Sequence, residues 1–305
     1  MLTYIYKECE YMINFLEISS DVIAIVVTLF SFLKNDLNNH FFYVKIINRR
    51  NNMYKINNFT DNDDVKILDT KGPFSIVEFQ RDLSVTPETA IVAYYSAQMN
   101  VKKRQLLCDV SKSSIITQAG AMQWTVGNVN ATTGVKGVED FFGKMIRGKV
   151  TGETAIKPEY TGDGKLILEP TNKYLILLDT EEWNGSVILE DGLFLACEAS
   201  LNHKAVMRSN LSSAMLGGEG LFNLSLQGKG VFCIESYCPK EELIMVELEN
   251  DTLKIDGNMA LAWSGSLEFT VERSGKSLVG SAASGEGLVN VYRGTGKVLM
   301  CPLIK

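Results

Sequence analysis

The residues best placed to do chemistry are three glutamates beside turn glycines, in Gly152-Glu153-Thr154, Gly218-Glu219-Gly220 and Gly285-Glu286-Gly287. Two carboxylates roughly 5–9 Å apart would serve glycosidic acid/base catalysis. Three gathered about an axis would hold Ca²⁺. The third use is structural: a carboxylate at a turn accepts backbone N–H groups and ties one segment to the next. The glutamates recur at nearly equal intervals, close to a period that runs through the chain, so the structural use is the expected one. No catalytic, cofactor-binding or metal-binding residue is assigned from them.

Other constellations fall short on spacing. Gly162/Gly164, Gly228/Gly230 and Gly294/Gly296 form Gly-x-Gly pairs. A dinucleotide loop needs a third glycine and a helix N-terminus, and here an apolar strand-like run follows each pair. The string "ERSGKS" at 272–277 ends like a phosphate-binding loop, but Thr270 stands where its first glycine belongs. G-x-S-x-G is absent. Only His40 and His203 are available for imidazole chemistry, too few for a histidine-rich metal site. Six cysteines include no C-x-x-C pair; Cys233 and Cys238 are close in sequence and Cys197 stands alone, so buried small hydrophobes in a reducing compartment are expected.

Composition narrows the classes further. The chain of 305 residues is 46% hydrophobic and 22% charged, which excludes an extended acidic chain and permits a sizeable core. A net charge of −6 argues against a nucleic-acid partner, which would require a concentrated basic face.

Glycine divides the chain, with none before Gly72 and 18 from Gly152 onward. Residues 1–71 read as an N-terminal extension, weakly packed or spurious, with nine asparagines among the 31 residues from Lys34 to Asp64. Met53 is a second possible start. The apolar run Val22–Leu33 is 12 residues long, short of the ~20 that a spanning helix needs. Its flanks lack the basic region and cleavage site of a signal peptide. Membrane association is therefore expected only peripherally, and the location is read as cytoplasmic.

Residues 72–305 read as one β domain. "FSIVEFQ", "AIVAYYSA", "RQLLCDV", "KLILEP", "YLILLD", "SVILED", "LIMVELE" and "SLEFTVE" are short runs of β-branched and aromatic residues between turn signals. Only 137–149 reads as a helix. The Gly-x-Gly pairs recur at one constant interval, which also separates Leu201 from Leu267, and "GAMQWTV", "DGLFLACE" and "DGNMALAWS" repeat a third element. The fold expected is all-β and double-stranded β-helix-like, built from three related units of about 66 residues, each unable to bury its apolar face alone. Trp124 and Trp263 fall at corresponding places, as core residues do; Trp183 stands apart.

The strings "GAMQWTVGNV", "DGLFLACEA", "GGEGLFNLSLQGKGVFCIES" and "SGEGLVNVYRGTGKVLM" resemble the altered-inheritance-of-mitochondria family over roughly residues 74–305. The resemblance implies a fold similar to the tryptophan-sensing RNA-binding attenuation protein, and no established enzymatic activity. The fungal member is similar to inner-mitochondrial-membrane organisation factors, which suggests a scaffold or membrane-associated role. The first unit departs from the pattern, with Thr154 and Pro158 where later units keep "GEGL". The functional expectation is a non-enzymatic protein acting by self-association or on a protein partner, without cofactor. The alternatives are a small-ligand-binding module using a groove between repeats and, less favoured, a carboxylate-dependent hydrolase.

Overall fold

The computed structural model describes residues 54–133, 157–207, 222–273 and 288–302. The expected helix at 137–149 lies outside them. All described strand pairings are antiparallel and fall into two sheets.

The first sheet begins with β1 (Val65–Lys71), which pairs with β2 (Phe74–Phe79), and β2 pairs with β3 (Arg104–Asp109). The ordered sheet thus takes in residues upstream of Gly72. It continues through β6 (Glu159–Leu168), β4 (Ile115–Thr117), β9 (Phe194–Glu198) and β12 (Val231–Ser236) to β7 (Tyr174–Asp179), while β5 (Met122–Thr132) pairs with β6 off this path. The eight-strand path curls into a nearly closed barrel whose end strands, β1 and β7, touch. The second sheet, a curled half-barrel, runs β10 (Asn202–Met207), β11 (Phe222–Gln227), β8 (Ser186–Leu189), β14 (Ala260–Ser264), β16 (Leu288–Met300), β13 (Ile244–Asp256), with β15 (Glu268–Arg273) also on β16. This architecture is consistent with the double-stranded β-helix-like class.

The continuous run "YLILLD" forms β7 because both its faces are covered. Leu175 and Leu177 point into the barrel beside Leu106, Cys108 and Leu166, whereas Ile176 and Leu178 join a second core with Leu224, Leu226 and Leu299 from the other sheet. Alternation fails in β9, where Leu195 and Ala196 both enter the barrel core while Phe194 and Cys197 face the second sheet. The cause is a register shift opposite Cys233/Ile234, a β-bulge that turns one extra residue inward. In β14, Leu261 and Ala262 share one core and Ala260 and Trp263 the other, again across a register shift.

One expectation is corrected. The run "AIVAYYSA" is not a strand but most of a helix, α1 (Pro87–Gln98). Pro87 supplies a preset φ at the first helical position. The Thr89 hydroxyl accepts from the Thr86 N–H at 3.0 Å, and Glu88 places a carboxylate in the first turn. At the other end Asn100 adopts φ 62°, and the Val101 N–H reaches back to the Ser96 carbonyl at 2.9 Å. These local stops outweigh the weak β preference of Ile91-Val92 and the tyrosines.

Candidate functional site

The glutamates Glu153, Glu219 and Glu286 lie outside the described residues. The Gly-x-Gly segments do not form anion loops. Gly162, Gly228 and Gly294 have φ of 119°, 114° and 119°, and their partners Gly164, Gly230 and Gly296 sit against a facing chain. A Cβ on Gly164 would fall 2.1 Å from the Val126 carbonyl oxygen, and one on Gly230 would fall 2.8 Å from Ser200 Oγ. The first glycine of each pair supplies the positive φ, and the second makes room for a facing group.

His203 lies on β10, half-buried; burial lowers its imidazole pKa, Lys157 adds to this and Glu159 opposes it. Burial pushes the Cys197 thiol up to about 12, and raises Cys108 and Cys233 too. Cys238 is also held near about 12, by burial and then by the Cys301 sulfur and Glu242 beside it. A thiol nucleophile works as the thiolate, so these side chains serve as packing at neutral pH. Among the described residues no three metal-ligating side chains cluster. Five cysteines are free and buried, and Cys9 falls outside the described residues. Native protein treated with Ellman's reagent at pH 8 is expected to show at most one fast thiol, the remaining five of six appearing only in denaturant. Two or more fast thiols would contradict this packing.

The unusual feature is α1. Strands β2 and β3 are neighbours whose last pair is Glu78↔Arg104, yet between them the chain leaves the sheet to build a helix. A surface helix ordinarily buries its large apolar stripe. In α1 the small residues Ala90, Ala93, Ser96 and Ala97 are the half-buried ones, and no residue of the helix is buried. Ile91, Val92, Tyr94, Tyr95 and the flanking Met99 are 61–76% exposed. At about 100° per residue these five, with Glu88 and Gln98, occupy one continuous face. The Tyr94 and Tyr95 rings meet edge to face at 5.4 Å.

The stem of this arm is clamped. Arg104 and Glu78, 2% and 5% exposed, form an ion pair at 2.7 Å. Arg104 also donates to the Asn100 carbonyl at 3.0 Å and to Asn100 Oδ1 at 3.2 Å, and its guanidinium lies 4.3 Å from the centre of the Tyr174 ring. Lys102 approaches Glu78 at 3.4 Å, Lys103 pairs with Asp82 at 2.6 Å, and Arg81 forks onto Asp64. A buried charge is tolerated only when paired and hydrogen-bonded, which fixes the return of α1 into β3. Sequence reasoning missed this network. The available signal was a charge within the apolar run "SIVEF" and another at the head of "RQLL".

Residues 95–303 match the family described as mitochondrial biogenesis AIM24. The chain belongs to that family. Most of α1 precedes the matched span, whereas the two sheets from β3 onward lie inside it. An uncharacterized protein of Streptococcus pyogenes serotype M6 is 31% identical over 193 residues, covering 61% of this AIM24-family chain and 75% of its own length. A crystal structure of a Streptococcus pyogenes protein superposes with a TM-score of 0.50 at 27% identity, covering 67% of this chain and 90% of that one. The family resemblance read from the glycine-rich strings is thus established. Among the described residues no helix is long and apolar enough to cross a membrane.

Proposed function

We propose that this AIM24-family protein is a non-enzymatic interaction protein of the cytoplasm that docks partners through α1. The observation carrying this reading is the outward, contiguous apolar face of a helix whose stem is held by buried ions. An exposed patch of several hundred Å² commonly marks an interaction site. A benzophenone amino acid placed at Tyr94 in the source cells is expected to give a discrete crosslinked adduct on illumination. The same group at Tyr237, an exposed tyrosine off the helix, is expected to give none. Absence of an adduct from Tyr94 overturns the reading.

We further infer that the domain carrying α1 consists of three related units. Supporting this, the β10/β11 ladder runs Asn202↔Gln227 to Met207↔Phe222 and the β15/β16 ladder Glu268↔Arg293 to Arg273↔Leu288, the same register displaced by one repeat length. A matching register shift recurs three times, opposite Leu168/Ile167, Ile234/Cys233 and Met300/Leu299. In the first unit the strand facing that shift begins at Met122, which precedes Phe194 by more than Phe194 precedes Ala260, so the period is not uniform.

A further inference from the structure

Building on the reading of α1 as a docking face, we propose that its occupant is a second copy of this chain, packed as an antiparallel α1–α1 pair. The face is self-complementary about Ala93. A two-fold axis there places Ile91 beside Tyr95 of the second copy and Glu88 beside its Gln98, while Val92 and Tyr94 flank opposite edges of the contact. Ile91 thereby meets an aromatic ring, and each Glu88 carboxylate meets an amide donor. A parallel pair would instead set the two Glu88 carboxylates side by side, at the same ends of two aligned helix dipoles.

Exposure supports the same occupant. Ile91, Val92, Tyr94, Tyr95 and Met99 are each more than half exposed, and a contiguous apolar patch of this kind is covered in water by a matching apolar face. Charge argues against a lipid surface. Interfacial helices carry lysine and arginine to meet anionic headgroups, whereas Glu88 is the only charged residue of α1.

The test is sedimentation velocity of the full chain from 2 to 100 µM, with two variants that leave the half-buried face untouched. The wild type is expected to dimerise in this range. Tyr95→Lys puts a lysine at the centre of the interface and is expected to raise the dissociation constant at least about 30-fold, as loss of a central aromatic anchor does. Gln98→Arg is expected to tighten the dimer several-fold at low salt by adding two symmetric pairs with Glu88, an effect that fades at about 0.5 M salt. A wild type monomeric at 100 µM, a dimer indifferent to Tyr95→Lys, or weakening by Gln98→Arg would each overturn the antiparallel pair. The Tyr94 photoadduct separates this inference from the reading beneath it. An adduct of twice the chain's mass supports both; an adduct with a different protein or with lipid sinks the second copy and leaves α1 a docking face. No adduct at all sinks both.

Discussion

Arg104→Ala is expected to lower the midpoint of thermal unfolding by roughly 10 °C. Removing one partner of a buried ion pair costs about 3–5 kcal/mol, and about 2–4 °C per kcal/mol applies to a domain of this size. Glu78 would remain 5% exposed with Lys102, at 3.4 Å, as its nearest cation. The Asn100 carbonyl would lose its donor, and Tyr174 the cation over its ring. Arg104→Lys should recover only part of the loss, since an ammonium cannot reach Glu78 and Asn100 with one planar fork. Replacing Arg104 and Glu78 together by Met and Leu should cost less than Arg104→Ala alone, because no unpaired charge then stays buried. A double variant as unstable as the sum of its single changes would show that the pair is not coupled. Backbone amides at 80–103 should exchange faster in Arg104→Ala while those of β7 and β12 keep their order of protection, separating release of the arm from general loosening.

The second large effect is a contrast between two glycines with the same backbone angle. Gly162 and Gly294 both sit at φ 119°, where an L side chain is strained by about 1–3 kcal/mol. At Gly294 a Cβ meets nothing closer than 3.8 Å, so Gly294→Ala should cost only that strain. At Gly162 the Cβ would lie 2.1 Å from the Asn128 carbonyl oxygen, so β5 must separate from β6. Gly162→Ala should therefore cost at least about 2 kcal/mol more, in the range of an overpacked core. Urea titrations of the two variants decide this. Equal midpoints would mean that the β5–β6 approach is looser than the backbone geometry requires.

These cases show what a sequence discloses. "YLILLD" became β7 without adjustment because burial on both faces writes itself as an unbroken apolar run bounded by turns. The Gly-x-Gly pairs were legible as something other than anion loops, because the third glycine and the following helix are missing from the sequence; that Gly162 and Gly164 lie against a facing chain shows only in the β5–β6 pairing. The helix was not legible in "AIVAYYSA": its composition suits either state, and what decides it is Thr86, Pro87 and Asn100 at the ends, together with the lack of a strand partner. The Glu78–Arg104 pair was hidden for another reason. Its members are far apart along the chain and meet only through the β2–β3 register. A charge in a strand reads as solvent-facing until the sheet shows which side is covered. The exposed apolar face of α1 escaped for the same cause, because an exposed apolar stripe and a buried one share a periodicity.

The long strand β16 has a consequence for how the chain is made. Among the described strands, β13 and β15 pair with β16 and with no other, although both leave the ribosome before it. At roughly 5–20 residues per second, the span from Ile244 to Met300 takes about 3–11 s to synthesise. For those seconds β13, with Ile244 and Met245 among its outward residues, is a nascent edge open to pairing with another chain. Slower translation of the 3′ end of the message lengthens that interval. The interleaved charges Glu247, Glu249, Asp251 and Lys254 are placed to keep neighbouring polysomal chains from using it.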